Sequence, residues 1–268
     1  MTRKVRLDLH LLTKGLVDSR QKAIQLIRAG KVKSSDGRVL DKPGLEINDD
    51  MEILLKSPPR FVSRGGEKLI AAFDHFPISV DKRICLDCGI STGGFTDCLL
   101  QNGASKVYGI DVGYGQTAWS LRNDPRVVLK ERTNIRNLTI ETLYGIDEQR
   151  ANFFVADLSF ISLTIVFPSI TNLLSNQARE GIALIKPQFE VGRERVGKKG
   201  VVKDPNSHEY ALKKVVDCSI SFGWHPKGLI ASPITGPAGN HEYLLWLGTG
   251  GYPSQLPDLK ELIARTLT

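Results

Sequence analysis

A glycine-rich segment between an apolar run and a helix pattern constrains the fold of this chain more than any other feature. Residues 84–87 predict a buried strand, and the helix pattern that opens at Gly93 runs through Leu100. Between them, Gly89 allows the backbone to turn tightly and to come close to a ligand. A strand, a glycine-rich turn and a helix in this order indicate the start of an α/β domain.

Strand and helix patterns continue to alternate after this segment. Six further strands are predicted, at residues 106–111, 127–130, 152–157, 182–186, 228–232 and 242–247. The apolar run at residues 153–174 contains Asp157 and Pro168, and it is interpreted as a buried strand followed by a helix rather than as a membrane span. The alternation predicts a doubly wound, mostly parallel sheet, in which ligands bind at the carboxyl ends of the strands.

The glycine-rich segment has three candidate functions. A dinucleotide site would need the spacing G-x-G-x-x-G, whereas the chain has Gly89-x-x-x-Gly93-Gly94. A hydrolase elbow, G-x-S-x-G centred on Ser91, should follow several strands of its sheet, but it follows the first strand here. A methyltransferase loop needs an acidic residue before the glycine turn and no cradle for a pyrophosphate. Glycine-rich turns also occur between strands and helices that bind no ligand. Asp111, at the end of the next strand, can accept hydrogen bonds from ribose hydroxyls, so its presence disfavours such a plain turn.

Positive charge is concentrated near the N-terminus. The chain has a formal net charge of +7, and its first 33 residues hold nine basic and two acidic side chains. Helix patterns at residues 3–13 and 19–29 precede short strand patterns at residues 31–33, 38–40 and 51–55, which predicts a small α+β domain. The charge indicates a polyanionic partner, and a solvated surface is the alternative.

Helix caps and prolines mark the boundaries in this part of the chain. Asp18 or Ser19 is the expected N-cap of the second helix, and Gly30 is expected to follow its C-terminus. Pro58 and Pro59 cannot continue a helix or a central strand, so they predict a short, stiff linker. The predicted division is a first domain at residues 1–57, a linker at residues 58–62 and a second domain at residues 63–268.

The N-terminal pattern resembles the αL RNA-binding motif of the ribosomal-protein S-four type. The resemblance rests on Arg6-Leu-Asp, Ser19-Arg-Gln-Lys-Ala23, Ile27-Arg-Ala-Gly-Lys-Val32 and Asp49-Asp50. In that family, paired helices present basic side chains to the phosphates of structured RNA. The resemblance and the basic charge beside it give eight candidate RNA contacts: Arg3, Arg6, Lys14, Arg20, Lys22, Arg28, Lys31 and Arg64.

Four longer motifs in the second domain resemble the TlyA family, whose members are known as hemolysins and as ribosomal RNA 2′-O-methyltransferases. The motifs are Phe61-Val-Ser-Arg-Gly-Gly-Glu-Lys68-Leu, Gly93-Gly-Phe-Thr-Asp97, Tyr108-Gly-Ile-Asp111-Val-Gly-Tyr-Gly-Gln116 and Glu131-Arg-Thr-Asn134. The resemblance implies a Rossmann-like class I methyltransferase domain, similar to the FtsJ type, that uses S-adenosylmethionine. The implied activity is methylation of a ribose 2′-oxygen in ribosomal RNA, with cytidine of the small or large subunit as the expected target.

The resemblance also implies two sets of site residues. A catalytic Lys-Asp-Lys-Glu tetrad maps to Lys68, Asp157, Lys186 and Glu242. Lys186 is expected to accept or guide the proton of the attacking hydroxyl, Lys68 to orient that hydroxyl, and the two carboxylates to position the lysines. The expected cofactor contacts are Asp87, Gly89, Ser91, Gly93, Gly94, Phe95, Thr96, Asp111, Val112, Asn134 and Asp157.

Other parts of the sequence bear on partners and location. Cys85 and Cys88 lie in an apolar strand without a second cysteine pair or nearby histidines, so packing cysteines are expected rather than a zinc or redox site. No metal is expected elsewhere either, because the other Asp and His residues lack ligand spacing. The basic, glycine-rich residues 192–200 are expected either to contact RNA or to form a plain surface loop.

Two alternatives to an RNA methyltransferase are kept: a membrane-active hemolysin and a non-catalytic RNA-binding factor on a methyltransferase fold. The first would need an amphipathic or spanning segment, which the sequence patterns do not indicate. No signal peptide is recognised, so a cytoplasmic protein is expected, with ribosomal RNA or ribosomal subunits as its partner and no membrane. The intact tetrad speaks against the second alternative.

Overall fold

The described residues of the chain belong to two units. A computed structural model describes residues 3–55, 59–145, 148–177, 179–250 and 256–268. Residues 1–59 form one unit and residues 60–268 form the other. Ser57 and Pro58, at the start of the predicted linker, lie outside the described residues, and the predicted domain bounds stay a prediction.

The N-terminal unit combines two helices with two small strand pairs. Its elements are β1 Lys4–Arg6, α1 Leu7–Thr13, α2 Arg20–Arg28, β2 Val32–Ser34, β3 Glu46–Asn48 and β4 Ile53–Leu55. β1 pairs with β3 and β2 pairs with β4, both in antiparallel register. Leu7, Leu11, Ala23, Ile27 and Val32 are fully buried and form the centre of its apolar core. Burial of one apolar face of each helix is what holds so small a unit together.

Two predictions for this unit are wrong. The helix predicted from residue 3 begins only at Leu7, because residues 4–6 form β1 and Val5 pairs with Ile47 of β3. The strand predicted at residues 38–40 is a single bridge between Val39 and Lys33. β3 is absent from the sequence-based prediction.

The predicted ends of the second helix are confirmed. The Ser19 hydroxyl accepts a hydrogen bond from the backbone N–H of Lys22 at 3.2 Å, as expected of an N-cap. Gly30 follows the helix with a φ of +65°, a left-handed conformation that glycine adopts without strain.

The C-terminal unit is built from strands and helices that alternate along the chain. Its strands are β5 Ile84–Cys88, β6 Lys106–Ile110, β7 Val127–Lys130, β8 Phe153–Ala156, β9 Glu180–Ile185, β10 His225–Ala231 and β11 Tyr243–Gly248. Its α-helices are α3 Gly65–His75, α4 Gly94–Gln101, α5 Trp119–Arg122, α6 Ile140–Leu143, α7 Leu163–Leu173, α8 Pro187–Glu190, α9 Pro205–Ser221 and α10 Leu259–Leu267.

The strands of this unit form one sheet. Among the described residues, seven strands lie in the order β10-β11-β9-β8-β5-β6-β7. The strands from β9 to β7 in that order are parallel to one another, whereas β11 is antiparallel to both β9 and β10. The predicted doubly wound, mostly parallel sheet is therefore confirmed. The predicted strand ends differ from the observed ones by at most three residues.

Apolar side chains cover both faces of the sheet. Successive residues of β5 point to opposite faces, so Leu86 packs with α7, α9 and α10, while Cys85 packs with α3, α4 and α5. Cys85 and Cys88 are fully buried free thiols, and burial raises the pKa of Cys85 to about 12, which confirms their packing role. The run at residues 153–174 is a strand followed by a helix, as predicted.

The topology brings four predicted site residues to one edge of the sheet. Asp87 lies near the end of β5, Asp111 follows β6, Asp157 follows β8 and Lys186 follows β9. Because these four strands are parallel, their carboxyl ends meet at the same edge. Of the helices in the described ranges, none is both long and apolar enough to cross a membrane.

A close approach between β8 and β9 gives a test of this packing. Gly181 pairs with Phe154, and a Cβ added at Gly181 would lie 2.1 Å from the Phe154 ring and 2.5 Å from its backbone oxygen. We expect Gly181→Ala to lower the free energy of unfolding by about 1–3 kcal/mol through overpacking, measured by urea denaturation. Gly145→Ala is the control, because its Cβ would meet only the Glu148 side chain at 3.4 Å. Equal losses in both variants would contradict a steric cause.

Candidate active site

The four residues of the predicted tetrad lie in two ion pairs. Lys186 Nζ is 2.7 Å from Asp157 Oδ1, and Lys68 Nζ is 2.6 Å from Glu242 Oε2. Tyr243 pairs with Ile185 in the sheet, so Glu242 enters β11 at the edge where Lys186 leaves β9. Adjacent strands and the first turns of α3 thus supply all four charged groups.

The Lys68–Glu242 pair is held deep in the structure. The exposed fraction of Lys68 is 7% and that of Glu242 is 1%. A Cβ at Gly236 would lie 2.5 Å from Glu242 Oε1, so a residue without a side chain is needed beside this carboxylate. Removing one partner of a buried pair typically costs about 3–5 kcal/mol, because the other charge stays unpaired. Glu242 therefore fixes the position of the Lys68 ammonium.

The Lys186 ammonium has a second polar neighbour. It donates a hydrogen bond to the Ser159 hydroxyl at 3.0 Å. Asp157 Oδ1 lies at ion-pair distance from Lys186 but has no hydrogen-bond partner of good geometry among the described residues. The hydrogen bond to Ser159 consequently orients the Lys186 ammonium, while Asp157 supplies the opposite charge.

Two cavities open at this edge of the sheet. The first, which we call the lysine cavity, is lined by residues that include Arg64, Lys68, Asp157, Lys186, Thr235 and Pro237. The second, the Asp111 cavity, is lined by residues that include Asp111, Val112, Gln116, Asn134, Leu158 and Phe160. Gly89, Ser91, Asp157 and Ser159 line both. Molecules bound in the two cavities would therefore meet beside Asp157.

Asp111 organises the turn that separates the cavities. Its carboxylate accepts hydrogen bonds from the backbone N–H groups of Ser91 and Gly113, each at 2.7 Å. Ser91 has a φ of +46°, a conformation that non-glycine residues rarely adopt, and the bond to Asp111 holds it there. Each carboxylate oxygen can accept a second hydrogen bond, so Asp111 remains able to bind ribose hydroxyls.

Asp87 is a fully buried carboxyl group behind the same turn. Its Oδ2 accepts a hydrogen bond from the Thr96 hydroxyl at 2.6 Å, and its Oδ1 has no partner among the described residues. Burial raises the pKa of Asp87 to about 7, and the nearby carboxylates of Asp157 and Asp111 add to the shift. A buried, unpaired carboxyl oxygen favours a cationic or donor group close by.

Glycine is required where the two cavities join. Gly89 has a φ of +92°, and a Cβ there would lie 2.9 Å from the backbone oxygen of Asp157. This glycine keeps the junction open, and Asp111 supplies acceptors in the adjoining cavity, whereas the fully buried Asp87 lines neither cavity. These carboxylate acceptors fit the hydroxyl groups of a nucleoside cofactor that also carries a positive charge.

The remaining predicted cofactor contacts occupy several positions. Gly94 and Phe95 line the lysine cavity, and Val112 and Asn134 line the Asp111 cavity. Gly93 lines neither; a Cβ there would lie 2.2 Å from the Leu121 side chain, so this glycine lets α4 approach α5. Thr96 is also buried away from both cavities, and its hydroxyl donates to Asp87, which lines neither cavity either.

Comparison with known proteins identifies the family. A family model described as FtsJ-like methyltransferase matches residues 61–249, which is more than half of the chain. The chain belongs to the FtsJ-like methyltransferase family. A second model, the S4 domain, matches residues 5–53 and agrees with the αL resemblance of the N-terminal unit.

Relatives of this FtsJ-like protein include enzymes and hemolysin-named proteins. The 16S/23S rRNA (cytidine-2′-O)-methyltransferase TlyA of Mycobacterium tuberculosis is 49% identical over 251 residues, which cover 93% of this chain and 91% of that protein. A solved structure of a hemolysin-named protein from Streptococcus thermophilus is 39% identical, with a TM-score of 0.72, and covers 99% of this chain and 96% of that one. The predicted resemblance to the TlyA family is confirmed.

A more distant likeness concerns the fold alone. A solved structure from Listeria monocytogenes, named as an S-adenosylmethionine-dependent methyltransferase, has a TM-score of 0.50 at 14% identity. It covers 70% of this chain and 99% of that one. The sheet of the FtsJ-like domain is therefore that of the wider methyltransferase class.

The candidate RNA contacts of the S4 unit are mostly exposed. Arg3, Arg6, Lys14, Arg20, Lys22 and Arg28 are exposed, and Lys31 is half-buried. Arg6 donates to both carboxylate oxygens of the fully buried Asp8 at 3.1 and 3.0 Å, and Arg20 donates to one of them at 3.0 Å. The hydrogen bond from Arg6 lowers the pKa of Asp8. Asp8 therefore orients two guanidinium groups at the surface.

Sequence analysis missed two residues of the FtsJ-like site. Ser159 binds Lys186, and Phe160 lines the Asp111 cavity with 92% of its surface exposed. Phe160 has a φ of +64°, and its ring centre lies 5.3 Å from that of Phe189. No periodicity marks a residue in a loop, so only its position just after Asp157 could have indicated a role. Within the described ranges, no group of three or more His, Cys, Asp or Glu side chains could hold a metal ion; the absence of a metal stays a prediction.

The burial of Asp87 makes a pH-dependent prediction. Between its usual pKa of 3.8 and its folded value of about 7, the folded protein binds a proton that the unfolded chain releases. Stability should therefore fall as the pH rises through this window, by up to roughly 4 kcal/mol, since one pKa unit corresponds to about 1.4 kcal/mol. We expect Asp87→Asn to remove this decline in urea denaturation of the cofactor-free protein.

Asp74→Asn, at an exposed position, is the matched control and should keep the decline. A wild-type pH profile in Asp87→Asn would show that another group is responsible.

Proposed function

We propose that the chain transfers the methyl group of S-adenosylmethionine to a ribose 2′-oxygen of ribosomal RNA. One observation carries the proposal: the lysine cavity and the Asp111 cavity share Asp157, and Lys186 faces Asp157 at 2.7 Å. A cofactor in one cavity and a ribose in the other would meet within reach of Lys186. Holding two reactants in this way can supply much of a rate enhancement.

The Asp111 cavity is the proposed cofactor site. Asp111 would accept hydrogen bonds from the ribose of the cofactor, Val112 and Asn134 would line its base, and Gly89 and Ser91 would leave room for the chain that follows. S-adenosylmethionine, when bound, supplies an electrophilic methyl group. Its positive charge suits a cavity lined by the carboxylates of Asp111 and Asp157.

The lysine cavity is the proposed site of the target ribose. The 2′-hydroxyl is a weak acid and has to lose its proton as its oxygen attacks. Lys186 Nζ would accept or guide this proton, with Asp157 and Ser159 holding it in place. Lys68, fixed by Glu242, would donate a hydrogen bond that orients the hydroxyl oxygen.

Ribosomal RNA is the proposed substrate class. The S4 domain and its exposed basic side chains support a structured RNA, and the name of the M. tuberculosis relative supports cytidine in 16S and 23S RNA. Arg64 at the mouth of the lysine cavity would contact the same RNA. Such a substrate implies that the protein acts in the cytoplasm.

A non-catalytic RNA-binding factor is the other candidate function. That interpretation leaves the two Lys–carboxylate pairs without a purpose, although buried charge is costly to keep when apolar residues could replace it. Some relatives are named hemolysins, but no specific contact among the described residues favours a membrane-active function. Methyl transfer therefore remains the proposal that uses the most features of the site.

Lys186→Ala should abolish methyl transfer while RNA binding persists. The assay supplies labelled S-adenosylmethionine and ribosomal subunits that lack endogenous modification, and it maps the product by resistance to alkaline hydrolysis. Loss of a positioned acid–base group should lower the rate by about 10²–10⁴-fold or more. Lys260→Ala, at an exposed position of α10, is the control and should keep full activity.

Two results would count against the proposal. If wild-type protein binds the cofactor but labels neither subunit nor naked ribosomal RNA, another substrate or the binding-factor function is indicated. If Lys186→Ala labels RNA as fast as wild type, Lys186 has no part in the chemistry.

Replacing Lys22 and Arg28 by glutamine should weaken RNA binding without slowing methyl transfer to the RNA that is bound. Both residues are exposed on α2. Each lost phosphate contact should reduce the slope of log affinity against log salt by about 1, and KM should rise while kcat stays near wild type. Lys260→Gln with Arg265→Gln, at two exposed positions of α10, is the control that removes the same charge. A slope equal to that of wild type would remove these two residues from the RNA interface.

A further inference from the structure

A strongly basic loop lies beside the site and is not used by the mechanism above. Residues 193–203, which we call the basic loop, hold five basic side chains and one acidic side chain. All five basic side chains are exposed: Arg193, Arg195, Lys198, Lys199 and Lys203. Exposed positive charge of this density suits the phosphates of a nucleic acid.

Asn240 fixes the tip of the basic loop. Its exposed fraction is only 2%. Its side-chain oxygen accepts a hydrogen bond from the Val202 N–H at 3.0 Å, and its side-chain nitrogen donates to the Gly200 carbonyl at 2.8 Å. A turn between Gly197 and Val201, closed by a hydrogen bond of 3.0 Å, completes the tip. The loop is thus attached through one buried amide.

His208 makes a second attachment at the same place. Its Nε2 lies 3.0 Å from the Val202 carbonyl, and its Nδ1 lies 2.9 Å from the Tyr243 hydroxyl. Burial lowers the pKa of His208, so its ring is neutral, with Nε2–H donating to Val202 and Nδ1 accepting from Tyr243. The loop is therefore bonded directly to Asn240, and through His208 it is connected to Tyr243, the residue after Glu242.

The Asn240 backbone is also bonded to the segment that forms part of the wall of the lysine cavity. Its backbone oxygen accepts a hydrogen bond from Gly236 N–H at 2.9 Å. Thr235 and Pro237, on either side of Gly236, line the cavity, and Gly236 itself packs against the Glu242 carboxylate. One residue consequently links the basic loop, the cavity wall and the segment that leads into Glu242.

We propose that Asn240 is a positioning residue that holds the basic loop against the Glu242 segment, so that RNA phosphates bound by the loop set the place of the target ribose in the lysine cavity. This inference rests on the proposed function. Phosphate contacts fix the register of a nucleic acid without reading its sequence. A loop tied to the cavity wall converts that register into the position of one ribose, whereas a detached loop has to become ordered as RNA binds, which weakens productive binding.

The first test is the kinetics of Asn240→Ala. The substitution leaves the Val202 N–H and the Gly200 carbonyl without their Asn240 partners. We expect the weakened attachment of the loop to raise KM for RNA by about tenfold. The Kd for S-adenosylmethionine should stay within about twofold of wild type, because the substitution affects RNA binding and leaves the proposed cofactor site intact. Asn172→Ala, at an exposed position of α7, is the matched control.

The second test separates a positioning role from general damage. Lys198→Gln with Lys199→Gln removes charge from the loop tip and should itself raise KM. If Asn240 acts through the loop, adding Asn240→Ala to this background should raise KM by less than about threefold, since coupled sites are not additive. Asn240→Asp keeps the acceptor for Val202 but not the donor to Gly200, and it should lie between wild type and Asn240→Ala.

The outcomes are distinguishable. Wild-type KM in Asn240→Ala, or a full tenfold effect in the background with Lys198→Gln and Lys199→Gln, overturns the inference while leaving methyl transfer intact. An inactive wild type overturns the proposed function instead. If Asn240→Ala does not fold, as judged by circular dichroism, Asn240→Asp takes its place in the same cycle, and additive effects again overturn the inference.

Discussion

Pairing of buried charge is the constraint on which the C-terminal unit depends. Each lysine of the site lies within 2.7 Å of a carboxylate, and an unmatched charge at either place would cost several kcal/mol. The elements that carry these groups must therefore stay in register. β11 makes this possible because it runs antiparallel to β9, so its first residues lie where the parallel strands end. An additional parallel strand would have delivered Glu242 to the opposite edge.

Carboxylates dominate the other half of the same edge. Asp87, Asp111 and Asp157 belong to neighbouring strands or the turns after them, and their mutual repulsion contributes to the raised pKa of Asp87. Backbone N–H groups from the glycine-rich turn offset part of this charge at Asp111. The edge thus has a basic side and an acidic side, which suits an anionic substrate beside a cationic cofactor.

Strong periodicity is what made most of the C-terminal unit predictable. Long apolar runs predicted the strands at whose ends Asp157 and Lys186 lie, and the glycine pattern predicted the turn before α4. The contact between Lys68 and Glu242 has no local signal, because the two residues are 174 positions apart; the family resemblance placed both in the tetrad but did not say which lysine pairs with which carboxylate. β1 and β3 pair with each other from distant parts of the N-terminal unit, and Ser159, Phe160 and Asn240 lie in loops whose paths depend on tertiary packing. The roles of the site residues stay predictions.

The late position of β11 also bears on how the protein is made. A chain emerging from the ribosome folds from its N-terminus, and long-range pairings form last. When residues up to α9 have been synthesised, Lys68 and Lys186 are present, but β9 still lacks its antiparallel neighbour and Lys68 its counter-ion. The central sheet and the ion pair are then completed by the same short segment. A nascent or truncated chain can thus fold its RNA-binding unit early, while the proposed chemistry waits until β11 has been synthesised.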